Sequence, residues 1–277
     1  IQIITNNPSR ASFRQRIQSY LPALKTAGID YEVIHYPRGS FARWQILRSA
    51  AEYDLVYLHK KTLNPLDAFL LKKSARKIIY DFDDAIMYDD RKPDSPPNAR
   101  KFTRPFKRTV AMSDSVIAGN QYLADQASSY NPDIHILPTG LRTADYSNIK
   151  KRKDGSVRLV WIGSSATVRY IQVLKPVLEQ IGAESSNIVL RMICDSFIDL
   201  ENMPVEKHNW SCETQYRDLA ECDIGLAPLP DNRYTRGKCG FKILQYYSAG
   251  LPVIASPVGV NAEYVRNGST GFLADNR

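Results

Sequence analysis

Short apolar runs alternate with amphipathic segments twice along this chain, and between the two series the rhythm stops. In the first series residues 1–5, 31–35, 55–58, 77–80, 115–118 and 134–137 read as strands. A helix is expected to carry Ile17, Tyr20, Leu21 and Leu24 on one face and to stop near Gly28, and another to span residues 66–73. Residues 143–156 are polar and contain Lys150-Lys151-Arg152-Lys153-Asp154-Gly155, a linker composition. Strands are then expected at 158–162, 188–193, 223–227 and 252–255, with helices at 168–181, 241–249 and 261–265. Strand–helix alternation of this kind specifies α/β domains with parallel sheets. The expected division is 1–148 and 149–277. In doubly wound folds ligands bind at the carboxyl ends of the strands, so the loops there are the ones to read for chemistry.

A chain of 277 residues can bury two cores of this size. The net charge of +8 favours an anionic partner such as a phosphorylated ligand or an anionic lipid surface. No nucleic-acid-binding module accompanies it, so nucleic acid is not an expected partner. The four cysteines, Cys194, Cys212, Cys222 and Cys239, form no C-x-x-C pair and suggest neither a zinc site nor a disulfide framework. A reducing cytosol is the expected compartment. No apolar run is long enough to cross a bilayer and no signal peptide is visible. The chain begins at Ile1, inside a strand and without Met, so a few preceding residues are expected to be missing.

The most specific segment runs from Gly237-Lys238-Cys239-Gly240-Phe241-Lys242-Ile243-Leu244-Gln245 through Gly250-Leu251-Pro252-Val253 to Ser256-Pro257-Val258-Gly259, followed by Glu263 and Gly271-Phe272-Leu273. It resembles the donor-binding segment of glycosyltransferase family 4, the group 1 glycosyltransferases. Val160-Trp161-Ile162-Gly163-Ser164-Ser165 followed by Arg169 resembles the start of the same donor domain. Residues 8–16, 54–59 and 80–86, Ala118-Gly119-Asn120 and Leu137-Pro138-Thr139-Gly140 resemble acceptor-side segments more loosely. The resemblance implies the GT-B architecture, two Rossmann-like domains facing a cleft. Family members continue past Gly271-Phe272-Leu273 with further helices, so the C-terminal end is expected to be truncated.

The resemblance further implies hexosyl transfer from a nucleoside-diphosphate sugar, UDP- or GDP-linked, with retention and with no cofactor or metal. The acceptor would be a glycan or a lipid-linked glycan, in surface polysaccharide synthesis. His59, Arg169 and Lys242 are the expected catalytic residues. Gly163, Ser164, Ser165, Lys238, Gly240, Phe241 and Gln245 are expected to bind the donor, and Arg10, Ser12, Asp83, Asp84 and Asn120 to lie on the acceptor side. The physical logic is consistent. A helix N-terminus after Gly240 attracts an anion, and a cation at Arg169 stabilises a departing diphosphate. The family usually supplies two Glu with seven residues between them. Here the second position is Gln245 and the first is Gly237, which lacks the carboxylate.

Asp81-Phe82-Asp83-Asp84 contains the Asp-x-Asp that holds a metal in the other glycosyltransferase fold. Its place in the first domain, away from the donor motif, argues for acceptor contact or loop bracing instead. Residues 101–108 mix cations and aromatics and read as the start of a basic amphipathic helix, with a seat on anionic membrane at the inner face of the cell as the alternative. Two other readings stay open: a GT-B relative that binds a nucleotide or glycan without catalysis, and a GT-B sugar-nucleotide epimerase. An NAD-binding fold is disfavoured because no G-x-G-x-x-G follows the first strand.

Overall fold

In the computed structural model, which describes residues 1–93, 96, 98–146 and 155–275, the chain divides into two compact units. The first comprises Ile1–Gly140 with Asn232–Cys239, the second Leu141–Asp231 with Gly240–Arg277. The expected boundary at 148/149 and the linker's Lys150 to Asp154 lie outside the described residues.

Unit 1 holds six parallel strands: β1 (Gln2–Thr5), β2 (Glu32–His35), β3 (Val56–His59), β4 (Ile78–Phe82), β5 (Ser115–Ala118) and β6 (Ile134–Ile136). Its helices are α1 (Ala11–Arg16), α2 (Leu21–Thr26), α3 (Ser40–Ser49), α4 (Pro65–Ser74), α5 (Arg104–Met112) and α6 (Gln121–Ser128). The strand order is β2-β1-β3-β4-β5-β6. The central strands are buried on both faces, with Ile4, Val56, Leu58, Ile78, Tyr80 and Phe82 fully enclosed. Continuous burial is what an apolar parallel strand demands. The single helix expected to carry Ile17, Tyr20, Leu21 and Leu24 is instead two, α1 and α2, separated at Ile17 (φ −122°, ψ −61°) and a 3₁₀ turn, Gln18–Tyr20. Pro22 has no N–H to continue an α-ladder, so the second helix restarts around it. Gly28 stops it in the left-handed region (φ +72°).

Unit 2 holds β7 (Val157–Ile162), α7 (Val168–Gln172), α8 (Lys175–Glu184), β8 (Ile188–Cys194), β9 (Val205–Asn209), α9 (Gln215–Ala220), β10 (Ile224–Ala227), α10 (Phe241–Ser248), β11 (Val253–Ala255), α11 (Asn261–Tyr264) and β12 (Gly271–Leu273). The six strands pair in parallel in the order β12-β11-β10-β7-β8-β9. The helix expected over 168–181 is again two, with Pro176 opening α8.

These orders fix where each unit can bind a ligand. Successive strands run to opposite sides of a starting strand, and the crevice opens between the carboxyl ends of the two strands where direction reverses. In unit 1 that point lies between β1 and β3, ending in Thr5 and His59. In unit 2 it lies between β7 and β10, ending in Ile162 and Ala227.

Candidate functional site

The unit 1 switch point carries a continuous polar chain. Thr5 and His59 are register partners, and His59 pairs in turn with Asp81. Thr5 Oγ1 lies 3.0 Å from His59 Nδ1, and Ser12 Oγ lies 3.1 Å from Nε2. Ser12 Oγ donates to Asp83 Oδ1 at 3.0 Å. A hydroxyl has one proton. With that proton given to Asp83, Ser12 accepts from His59, so Nε2 carries the hydrogen and Nδ1 accepts from Thr5. His59 is only 3% exposed. Burial lowers its pKa to about 4, with Asp83 acting in the opposite direction, so the ring is neutral at pH 7.

Around this chain each acid faces a protein cation. Arg16 makes a bidentate pair with Asp81 and also donates to Leu137 O and Thr139 Oγ1. Burial opposes the Arg16 charge, but Asp81 more than offsets it and lifts the guanidinium pKa above its usual range. Lys60 reaches Asp83 at 2.7 Å and Asp84 at 2.5 Å, and Lys238 reaches Asp84 at 2.9 Å. Burial pushes the Asp84 carboxyl up, yet Lys238 and Lys60 outweigh it and hold it well below the carboxylate range. Lys60 itself adopts φ +53°, the one positive-φ non-glycine among the described residues. Strain of this kind concentrates at functional sites. It turns the chain out of β3 so that the Lys60 side chain meets Asp83 and Asp84.

The segment Asn232–Cys239 completes this unit. Lys238, expected beside a donor diphosphate, is grouped here and ion-paired to Asp84. Asn120, expected on the acceptor side, caps α6 by accepting from Leu123 N and donates from Nδ2 to Lys238 O at 3.2 Å. Cys239 Sγ donates to Asp83 O at 3.3 Å. Gly237 has no room for a side chain: a Cβ there would lie 2.8 Å from Ala85 Cβ and 2.9 Å from Leu123 Cδ2. Arg10 is exposed at the N-terminus of α1. Among the described residues no group of three or more His, Cys, Asp or Glu is placed to hold a metal ion.

The unit 2 switch point is built differently. Gly163-Ser164-Ser165 follows β7 directly. A Cβ on Gly163 would meet the buried Trp161 ring at 2.3 Å, so glycine is what lets the loop cross that ring. Ser165 donates twice to Asp195, through N at 2.5 Å and Oγ at 2.9 Å, and these bonds hold the Asp195 carboxyl below its usual range. Arg169 on α7 lies over the Tyr170 ring at 4.8 Å and donates to Ala166 O and Tyr170 Oη. Lys242 Nζ sits 4.1 Å above the Trp161 ring. That contact ties the first turn of α10 to the end of β7. Gly240 starts α10 at φ +63°, closed in by Val260 and Tyr264. Phe241 is half-buried beside it. Gln245, expected to bind the donor, is 6% exposed, and its Nε2 donates to Gln215 Oε1 at 3.3 Å.

Thr5, Arg16, Lys60, Asp81 and Asp195 are not among the expected site residues, yet they hold those that are. Residues 101–108 run into α5, as a basic amphipathic helix start should: Phe106 is 1% exposed in the core, and Lys101 and Lys107 lie over the Phe102 and Tyr130 rings.

Residues 143–277 match the family described as Glycosyl transferases group 1. No curated protein sequence matches the chain. Among solved structures it is similar to Anabaena HepE in complex with UDP, at 15% identity and a TM-score of 0.64, over 99% of this chain and 85% of that one. It is similar to WaaG, a glycosyltransferase involved in lipopolysaccharide biosynthesis, at 14% identity and a TM-score of 0.67, over 98% and 85%. A Rickettsia africae glycosyltransferase matches at 14% identity and a TM-score of 0.63, over 99% and 75%. The fold is therefore that of the GT-B glycosyltransferases, and residues 143–277 are similar to the group 1 glycosyl transferases.

Proposed function

We propose that this protein is a retaining, hexosyl-transferring glycosyltransferase that moves a sugar from a UDP- or GDP-linked donor to a glycan or lipid-linked acceptor, without a metal. Surface polysaccharide or glycoconjugate assembly at the cytoplasmic face of the membrane, with peripheral contact to anionic lipid, is the setting that suits this activity. The observation that carries the reading is the coincidence in unit 2 of a family-matching segment with the topological switch point. Gly163-Ser164-Ser165, Arg169 and the N-terminal turn of α10 all belong to that unit. HepE, whose structure contains UDP, supports the choice of nucleotide.

In this reading Arg169 and Lys242 neutralise the leaving diphosphate as its charge grows. Ser164, Ser165 and the α10 amides hold the phosphates, and Phe241 and Gln245 flank the nucleoside. Gly163 and Gly240 shape the backbone. On the acceptor side Ser12, Asp83, Asp84, Arg10, Asn120 and Lys238 form or brace the surface. His59 contributes as a neutral, fixed imidazole rather than as a proton store.

Titration of the protein with UDP, GDP, ADP and their sugar conjugates in EDTA tests the donor site. Saturable binding of one nucleoside diphosphate supports it, and binding of none defeats it. One observation favours a second reading, a GT-B relative that binds without transfer: Gly237 cannot carry the usual carboxylate in this packing. Donor consumption only when an acceptor is present selects the transferase. Turnover of donor with no acceptor selects an epimerase or hydrolase.

A further inference from the structure

Residues 101–108 offer little apolar surface to a membrane, because Phe106 is in the core and Phe102 is half-buried. The outward faces of α3 and α4 offer a great deal. Phe41 is 71% exposed, Leu66 65%, Phe69 64% and Trp44 39%. Both helices already bury a face in the unit 1 core, through Leu47 on α3 and Ala68 and Leu71 on α4. Each is therefore apolar on two sides, which a solvent-facing helix is not.

The outward residues have helical spacing. Phe41, Trp44 and Arg48 stand at i, i+3 and i+7, and so do Leu66, Phe69 and Lys73. Phe41 stacks on Trp44 at 5.9 Å, and the Arg48 guanidinium lies 5.2 Å above the Trp44 ring. Trp44 and Arg48 of α3 share an open groove of about 780 Å³ with Leu70 and Lys73 of α4, so the two stripes are one surface.

Charge decides what covers it. The two helices carry Arg43, Arg48, Lys72 and Lys73 against one acid, Asp67. Asp67 is 4% exposed and bound to Tyr36, Asn64 and Arg43. Glu52 also lines the groove and Lys72 pairs with Asp114, but neither outward stripe holds a carboxylate. Aromatic and aliphatic tips with long cations between them suit the headgroup boundary of an anionic bilayer, where rings enter the acyl edge and Lys and Arg reach phosphates.

We propose that the outward face of α3 and α4, formed by Phe41, Trp44, Leu66 and Phe69 with Arg48 and Lys73, docks the protein on an anionic lipid bilayer. The proposal gives a location to the peripheral contact inferred above and rests on it. Both helices begin just after β2 and β3, so Phe41 and Leu66 lie toward the carboxyl ends of the strands, where His59 and Asp83 are. A lipid-linked acceptor would meet unit 1 at that end.

Flotation of the full chain with vesicles tests this. Binding is expected to phosphatidylcholine vesicles containing phosphatidylglycerol, to weaken with salt, and to be much weaker with phosphatidylcholine alone. Phe41→Ser with Phe69→Ser, and separately Arg48→Glu with Lys73→Glu, should each lower the bound fraction on the order of tenfold. Their thermal midpoints should match wild type, since all four side chains are exposed. Lys101→Glu with Lys107→Glu serves as the control and should bind as wild type does. Loss of binding in the control, with both α3–α4 pairs unaffected, would overturn this location but not membrane contact. A dimer formed without vesicles and abolished by the Phe pair would assign the face to a second copy and overturn it too. Failure of wild type to float on any vesicle overturns the contact altogether. The nucleotide titration stands apart from all of these outcomes.

Discussion

His59 illustrates how the role of a residue follows from its neighbours. With Thr5 Oγ1 and Ser12 Oγ on its two nitrogens, it has no unpaired ring nitrogen. Nitrogen-15 NMR of the imidazole should show the Nε2–H tautomer; an Nδ1–H ring would contradict the hydrogen-bond chain. The buried neutral ring also makes stability depend on pH. Unfolded His titrates near 6.5 and folded His59 near 4, so between these values the unfolded chain binds more protons. The contribution is therefore intact above pH 6.5 and is lost as pH falls toward 4. Its size is about 3 kcal/mol. Denaturant unfolding at a series of pH values should show this slope in wild type and a shallower one in His59→Gln. Parallel slopes would mean that His59 does not titrate as its burial dictates. His59 could be singled out in the sequence because it follows an apolar run and falls in a segment that resembles the family. Thr5 and Arg16 could not, because their partners lie 54 and 65 positions away, a separation that no local spacing reveals.

At the scale of elements, sequence periodicity located the inner strands to within a residue or two, since an apolar run buried on both faces has little freedom. It failed where tertiary packing set the outcome. The strand β9, Val-Glu-Lys-His-Asn, lies at the sheet edge, where polar residues are tolerated and the apolar signal is lost. The proline-led restarts at α2 and α8 were read through as continuous helix, although the prolines were in plain view. The docking of Asn232–Cys239 into unit 1 was invisible, because the motif around it reads as one donor segment. That docking sets a test. Gly237→Ala should lower stability by about 1–3 kcal/mol, the cost of overpacking against Ala85 and Leu123. Gly39→Ser, at the N-cap of α3 where an added Cβ meets nothing within 4 Å, should leave stability unchanged or raise it by a few tenths of a kcal/mol. Equal unfolding midpoints for Gly237→Ala and wild type would show that the segment is not packed as described.

Across the whole molecule, two sheets of different strand order each place their polar loops where strand direction reverses, and this divides the chemistry between them. The loops at the unit 1 switch point pair Asp81, Asp83 and Asp84 with cations and leave little net charge there for a phosphate: Arg16 is committed to Asp81, and Lys60 and Lys238 to Asp83 and Asp84. The unit 2 loops bring Arg169 and Lys242 near a helix N-terminus and a glycine-containing turn, a combination that attracts a diphosphate. Nucleoside-diphosphate affinity should therefore respond to unit 2 and not to unit 1. Arg169→Ala should weaken it by about 1.5–3 kcal/mol, the range for a hydrogen bond to a charged group, or roughly ten- to 150-fold in Kd. Asp83→Ala should leave that Kd within about twofold while slowing transfer, because its partners, Ser12 and Lys60, are in unit 1 and not at the proposed donor site. Isothermal titration with the preferred nucleotide, alongside transfer assays, separates the two effects. If Arg169→Ala bound as tightly as wild type, the diphosphate would have to be held elsewhere, and the assignment of unit 2 as the donor side would fall with it.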